Sequence, residues 1–301
     1  RIQKIFEREP ELLAQFTKII PTIEKPDIDA IAVTIGPGLQ PALWVGINFA
    51  RALSRVWDIP LIEVNHMEGH LISSLLAPLG TEWSVSASFP AIGLLVSGGH
   101  TELIHIEAWG KYTVLGRTRD DAAGEAFDKV ARILGLPYPG GSALSALAST
   151  NTEDSPMVLP RPMIRSDDYD FSFSGLKTAV LYATRERPEL LTAEPLRAAL
   201  AYEFEQAVVD VLIAKTKKAL TEIGAGRPAR QAQTLLVGGG VLANTKLRSA
   251  LTSLAHDLDI TLILPLTEYT GDNAAMIAAS AYIHNKDTCS PTLEAHGTLS
   301  L

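Results

Sequence analysis

Apolar positions along this chain change period several times, and each change marks a new element. Residues 29–35, "DAIAVTI", are a β-branched apolar run closed by Gly36-Pro37-Gly38. Such a run predicts a buried strand and a turn. Apolar residues over 42–57 then recur at helical spacing, and 60–64 reads as a second strand leading straight into "NHMEGH". Strand and helix in alternation point to α/β architecture with parallel strands. At Ala91 the pattern shifts to consecutive strands over 91–96, 101–106 and 112–115, separated by short glycine turns. This predicts an antiparallel meander that starts a second domain. The stretch before it, "APLGTEWSVSASFP", is rich in Pro, Ser and Gly and reads as a boundary.

Further on, helical spacing covers 121–134 and 142–148, and 156–170 is irregular, with Pro156, Pro160 and Pro162. A long helix follows over 195–223. Leu196, Leu200, Phe204, Val208, Val211, Leu212, Leu220 and Ile223 fall largely on one face, and Gly224 is placed to end it. Strands are expected at 234–237 and 261–264, with a glycine-rich turn opening a helix after the first of them, and a final helix at 272–284.

Composition narrows the class. The chain has 301 residues, enough for about two domains by the usual length prior. It is 47% hydrophobic and 20% charged, a balance ordinary for a globular protein. A single cysteine, Cys289, excludes a disulfide framework and a cysteine-based zinc site, and fits a reducing compartment. No apolar run approaches the roughly 18 residues that span a bilayer, so no membrane role is expected. The amphipathic, charged N-terminus is unlike a signal peptide, and the expected location is cytoplasmic. A net charge of −8 disfavours a general nucleic-acid-coating role. Arg161, Arg165, Lys177, Arg185 and Arg187 still concentrate in one stretch, either as a solvated face or as a local basic patch.

His66 and His70 stand four apart, close enough on a helix for both side chains to reach one metal ion. Asn65 is placed to cap that helix. An isolated pair of this kind is more often a cap or core pair than a metal site. The zinc-protease motif puts its glutamate directly after the first histidine. Here Met67 holds that position, and Glu68 lies roughly 200° around the helix from His66. It is poorly placed to act as a base beside a metal held by both histidines. Two histidines also leave such a site short of ligands, so a carboxylate from elsewhere is needed. Asp272 could supply it, although a helix N-cap is its plainer role.

Two glycine turns could approach a phosphate. Ser97-Gly98-Gly99 alone is indistinguishable from a hairpin turn. "LLVGGGVLANTKL" (235–247) is the stronger candidate: a strand, three glycines, then a helix whose N-terminus favours an anion. It is not the dinucleotide fingerprint. Asp121, Glu125 and Asp128 share one helical face. Ordinarily solvated, such a face beside glycine turns could instead offer a carboxylate to a ribose or a metal.

Together these motifs resemble one family. "NHMEGH", "LLVSGGHTEL", "DDAAGEAFDKVARILGLPYPGG", "DFSFSGLKTAV", "VGGGVLANTKLR" and "GDNAAMIA" occur in the order of the tRNA N6-adenosine threonylcarbamoyltransferases, called TsaD in bacteria. Members were once labelled glycoproteases because of the histidine motif. The resemblance implies an α/β, actin-like ATPase fold of the sugar-kinase and heat-shock type, two-lobed, with the ligand in the interlobe cleft. The first lobe would be 1–90 plus 273–301 and the second 91–272. Also by resemblance, His66, His70 and Asp272 would hold one divalent metal, iron(II) first and zinc second. Leu95, Val96, Ser97, Gly98, Gly99, Asp128, Gly141 and Asn244 would contact threonylcarbamoyl-adenylate. The acyl group would pass to N6 of the adenosine beside the tRNA anticodon, releasing AMP, with no catalytic nucleophile or base assigned. Expected partners are tRNA and, in a bacterium, a TsaB-like scaffold and a TsaE-like ATPase. The basic stretch 161–187 would touch the tRNA. The family normally begins with a strand and hairpin carrying an acidic loop. Nothing similar precedes Ile31, so a fragment or shortened form is expected, its first lobe without those edge strands. The readings weighed against this one are another actin-like kinase or ATPase, a shortened non-catalytic scaffold and, last, a metalloprotease.

Overall fold

A computed structural model describes residues 2–78, 80–81, 87–155, 157–223, 234–284 and 293–301. The chain opens with helices α1 (Ile2–Ile5) and α2 (Pro10–Ile19), then strand β1 (Ile31–Gly36), α3 (Gln40–Trp57), β2 (Leu61–Asn65) and α4 (His66–Ser73). Three strands follow, β3 (Ala91–Val96), β4 (Thr101–Ala108) and β5 (Lys111–Arg117). Next come α5 (Ala123–Ile133), α6 (Gly140–Ser149), α7 (Ser174–Glu186), α8 (Glu189–Thr192) and α9 (Glu194–Glu222). The last elements are β6 (Thr234–Gly238), a 3-10 turn Gly240–Ala243, α10 (Thr245–Asp257), β7 (Thr261–Ile263) and α11 (Ala274–His284). Two compact units divide the chain, one running to Ile72 and resuming over Asn273–Leu301, the other Ser73–Asp272.

In the first unit β1 and β2 pair in parallel, Ile31 opposite Leu61 and Thr34 opposite Val64. Two parallel neighbours need a crossover, and α3 provides it. Its buried Ile47 and Ala50 pack with Ile35, Leu61, Leu293 and Ala295. Helix α3 stops at Asp58, whose backbone turns left-handed at φ 52° while its N–H bonds Ser54. A second cluster gathers Phe6, Phe16, Ile20 and Ala52 under α2. The C-terminal segment lies along β1, where His296 N–H donates to the Ile35 carbonyl at 2.8 Å.

The second unit is built on a five-stranded sheet ordered β5-β4-β3-β6-β7. Strands β3, β4 and β5 form the expected antiparallel meander, and β3, β6 and β7 run parallel. Central strand β3 is buried at all six positions, which is why it reads as a continuous apolar run rather than an alternating one. Its Ile92, Leu94 and Val96 share a core with Phe127 and Val130 of α5 and Phe204, Val208 and Val211 of α9.

Several boundaries differ from expectation. Helix α7 lies where no helix was predicted, although Leu176, Val180 and Ala183 bury one face of it. Its start is fixed from outside: Asp120 accepts hydrogen bonds from the backbone N–H of Phe173 at 2.8 Å and Ser174 at 3.1 Å. The carboxylate also takes the hydroxyls of Ser172 and Ser174. A trans carboxylate at a helix N-terminus satisfies donors that local sequence leaves open. The glycines after β6 do not open a helix directly. The 3-10 turn intervenes, and α10 begins only at Thr245. Gly224, Cys289 and part of the boundary stretch 77–90 lie outside the described residues. Among the described residues, no helix is long and apolar enough to cross a membrane.

Candidate functional site

The histidine motif begins where β2 ends. Asn65 Oδ1 accepts from Met67 N–H at 2.9 Å, so Asn65 caps α4. His66 and His70 then stand one turn apart, with ring centroids 4.7 Å apart and planes crossed at 80°. His66, His70 and Asp272 each offer one ligand atom, and these atoms lie within 4.8 Å of one another. Asp272 is not the cap of the last helix. Asn273 is, its Oδ1 taking Met276 N–H at 2.8 Å, so Asp272 stands outside the helix. Two imidazoles and one carboxylate form a donor set suited to a divalent transition metal such as iron(II) or zinc. The residues present therefore fit the metal that the motif implies.

Glu68 belongs to different machinery. Its carboxylate is buried and reaches α11, accepting from Ser280 Oγ at 3.1 Å and bonding His284 Nε2 at 2.5 Å. Gly69 lets these helices approach, since a Cβ there would meet Ile277 Cδ1 at 3.0 Å. The glutamate that makes the motif look like a protease is a packing and hydrogen-bonding residue between two helices of one unit.

A cavity of about 530 Å³ lies within the second unit. Gly98, Asp128, Gly141 and Asn244 line it, together with Gly124, Phe127, Ser142, Ser145, Gly240 and Thr245. Leu95 and Val96 lie buried in β3, and neither they, Ser97 nor Gly99 is in the lining. Ser97 instead closes the hairpin, its Oγ accepting from His100 N–H at 3.1 Å. Close backbone approaches sit at this wall, at Gly124, and directly behind it, at Gly239 beside the lining residue Gly240. At Gly239, with φ +105°, a Cβ would lie 2.4 Å from the Val96 carbonyl oxygen. At Gly124 it would lie 2.7 Å from the Ser97 carbonyl oxygen. Asp128 Oδ1 accepts from Gly140 N–H at 2.8 Å at the start of α6. Its helix-face neighbours do something else: Asp121 and Glu125 both bind Lys129, at 2.7 and 2.8 Å.

Asn244 stands at the end of the 3-10 turn as the N-cap of α10, its Oδ1 accepting from Leu247 N–H at 2.8 Å. Its Nδ2 donates to Ser145 Oγ at 2.8 Å and to Glu205 Oε1 at 2.6 Å. Sequence reading missed Ser142, Ser145 and Glu205. The serine spacing 142, 145, 149 on α6 was a helical face in plain view, opposite buried Leu144 and Ala148. Nothing local marks Glu205, one acid in a long helix.

The basic stretch is less open than its composition suggested. Arg161 is held by Glu203 at 2.5 Å and Asp210 at 2.9 Å, and it donates to the Leu159 carbonyl at 2.8 Å. Arg187 pairs with Glu189 at 3.0 Å. Arg165 and Arg185 remain exposed cations, with Lys177 half-buried.

The family model described as tRNA N6-adenosine threonylcarbamoyltransferase, TsaD, matches residues 11–279. The protein of that name from Gemmatimonas aurantiaca is 46% identical over 264 residues, covering 84% of this chain and 70% of the relative. The one from Paraburkholderia xenovorans is 48% identical over 252 residues, covering 84% and 70%. Among solved structures, HypF from T. kodakarensis superposes with a TM-score of 0.58 at 14% identity, over 91% of this chain and 43% of that one. The fold is thus of the actin-like α/β class. The chain belongs to the tRNA N6-adenosine threonylcarbamoyltransferase family.

Proposed function

We propose that this chain transfers the threonylcarbamoyl group from threonylcarbamoyl-adenylate to N6 of the adenosine adjacent to the tRNA anticodon. The observation that carries the reading beyond family membership is the convergence of Gly98, Asp128, Gly141 and Asn244 on one cavity of small-molecule size. Such a cavity suits the adenylate half of the donor. Gly141 and Ser142 at the start of α6 and Thr245 at the start of α10 line it, and helix N-termini favour a phosphate. Asp128 Oδ2 can accept from a ribose hydroxyl, and Phe127 offers apolar surface. In the reaction N6 of the tRNA adenosine attacks the carbamoyl carbon, the bond from that carbon to the phosphate oxygen breaks, AMP leaves, and N6 loses one proton. No nucleophile of the enzyme is needed, so holding the donor in place should supply much of the acceleration.

His66, His70 and Asp272 would hold the divalent metal, iron(II) or zinc. When bound, it supplies a Lewis acid and template for the threonylcarbamoyl group. That donor set argues against a kinase or ATPase, whose magnesium is bound by carboxylates, phosphates and water. The overall charge of −8 suits tRNA binding shared with a partner, such as a TsaB-like scaffold with a TsaE-like ATPase, in the cytoplasm. Arg165, Lys177 and Arg185 are the cations available to tRNA phosphates, Arg161 and Arg187 being committed to carboxylates.

The test is direct. The chain, loaded with metal and given threonylcarbamoyl-adenylate, tRNA and the expected partners, should convert one adenosine per tRNA, with one AMP released, by nucleoside mass spectrometry. Phosphorylation of a small molecule from ATP in place of that product would overturn the reading.

A further inference from the structure

Asn244 has a fixed orientation. Leu247 N–H can only donate, so the amide atom facing it is the oxygen, and the nitrogen faces Ser145 and Glu205. Both protons of that nitrogen are thereby spent, one on Glu205 Oε1 and one on Ser145 Oγ. Ser145 accepts in this pair, which leaves its own hydroxyl proton to be donated. Its neighbours on the cavity wall turn theirs back onto nearby backbone: Ser142 donates to the carbonyl of Pro139, the N-cap of α6, at 3.3 Å and Ser149 to the Ala146 carbonyl at 2.7 Å. Among the described residues Ser145 has no such acceptor, and it lines the cavity. Behind it, Glu205 is buried in α9, and its second carboxylate oxygen lies 3.9 Å from the Lys246 ammonium. That ammonium sits 3.3 Å over the Tyr202 ring. Lys246 supplies a cation beside an otherwise isolated buried carboxylate.

We propose that Glu205 is a positioning residue for the donor's adenylate half: through Asn244 it turns the Ser145 hydroxyl proton into the cavity, toward a ribose hydroxyl oxygen of the bound nucleotide. The inference rests on the adenylate reading of the cavity. A ribose hydroxyl both donates and accepts, so it can give its proton to an acceptor-only carboxylate, as Asp128 offers, and accept one from a serine. Chained hydrogen bonds polarise one another, so the Glu205–Asn244–Ser145 order makes Ser145 a better donor than an isolated serine.

The experiment is calorimetric titration of the full chain with 5′-AMP and with 2′,3′-dideoxy-AMP. Ser145→Ala should weaken AMP roughly 5- to 10-fold, the loss of one ligand hydrogen bond, and leave dideoxy-AMP unchanged. Glu205→Ala should weaken AMP to a similar degree, and adding it to Ser145→Ala should cost nothing more. Glu205→Gln keeps an acceptor for Asn244 and should restore most of the affinity, which loss of fold would not allow. Multiplying effects, or equal weakening of AMP and dideoxy-AMP, would overturn the relay. Ser145→Ala alone decides the ligand contact if Glu205→Ala does not fold. Wild-type binding of AMP with no change in Ser145→Ala overturns this inference and leaves the adenylate reading intact. A wild-type chain that does not bind AMP overturns both.

Discussion

The cluster of His66, His70 and Asp272 and the cavity of the second unit are built on opposite plans. His66 and His70 are four residues apart on one helix, and only Asp272 is remote. Their chemistry lies in atom type: two imidazoles and a carboxylate. The cavity draws on a hairpin turn, α5, α6 and the 240–245 turn, and most of its lining is backbone and small side chains. Its chemistry lies in shape and in hydrogen bonds that fix what each group can still offer. A short local motif can therefore name ligand atoms without naming the reaction. The spacing of "NHMEGH" already sets Glu68 apart from a protease base, and its bonds to Ser280 and His284 show what it does instead.

The largest expected effect separates the two plans. His66→Ala combined with Asp272→Ala should abolish metal binding and lower tRNA modification at least about 100-fold, while 5′-AMP affinity stays at the wild-type value. Metal analysis and calorimetry on the same sample check both halves. Retained modification would remove the metal from the reaction, and loss of AMP binding would show that the two sites do not act separately. Next in size is Gly239→Ala. A Cβ there meets the Val96 carbonyl oxygen at 2.4 Å on a backbone with φ +105°. The substitution should cost about 2–3 kcal/mol in denaturant unfolding and weaken AMP binding, because the cavity wall moves. An unchanged midpoint would mean that close approach does not shape the cavity.

Legibility in the sequence follows the same division. The α/β alternation, the meander and the long helix were readable because they are periodic over many residues. So was the helix cap at Asn65, a matter of adjacent positions. Helix α7 was not, because the partner for its first N–H groups is Asp120, more than fifty residues earlier, and no window around 174 contains it. The start of α10 was misplaced because three glycines support a 3-10 turn as readily as an α-helix. At the cavity, Gly98, Asp128, Gly141 and Asn244 came from family likeness, and no spacing rule could have joined them. Glu205 was invisible because its meaning is a hydrogen bond to a residue 39 positions away. Arg161 was misread in the other direction. Composition counts a cation, and the fold neutralises it with two acids from α9.

A smaller effect tests Glu68. Removing its carboxylate in Glu68→Ala leaves the buried Ser280 and the mostly buried His284 without that acceptor, at a cost of about 1–3 kcal/mol. Metal stoichiometry should stay at the wild-type value, since Glu68 offers no ligand atom to the cluster. A stability loss with metal retained sharpens the division within "NHMEGH" between ligands and packing. Loss of metal at unchanged stability would return Glu68 to the metal site.

The smallest effect concerns pH and lies wholly in the second unit. Asp168 is held down to about 2, first by the Ser166 hydroxyl and then by Lys215, whose ammonium lies 3.3 Å away. Lys215 is buried and also donates to the Ser166 hydroxyl at 2.6 Å and the Asp168 carbonyl at 2.7 Å, so it ties the segment 166–168 to α9. A carboxylate with a lowered folded-state pKa contributes stability that is complete above its unfolded value, near 3.8, and lost as pH falls through about 2. Amide exchange over 164–174 should therefore quicken as pH drops from 4 toward 2, beyond the intrinsic pH trend, while the β1–β2 pair of the first unit keeps its protection longer. In Asp168→Asn the segment should exchange faster already at pH 5 and lose that extra dependence. Equal acid sensitivity in both places would mean the opening is global, and the local clamp would carry no separate weight. A segment that quickens alone would show that the second unit, whose cavity relies on shape, keeps its charge dependence in a loop whose residues are absent from the cavity lining.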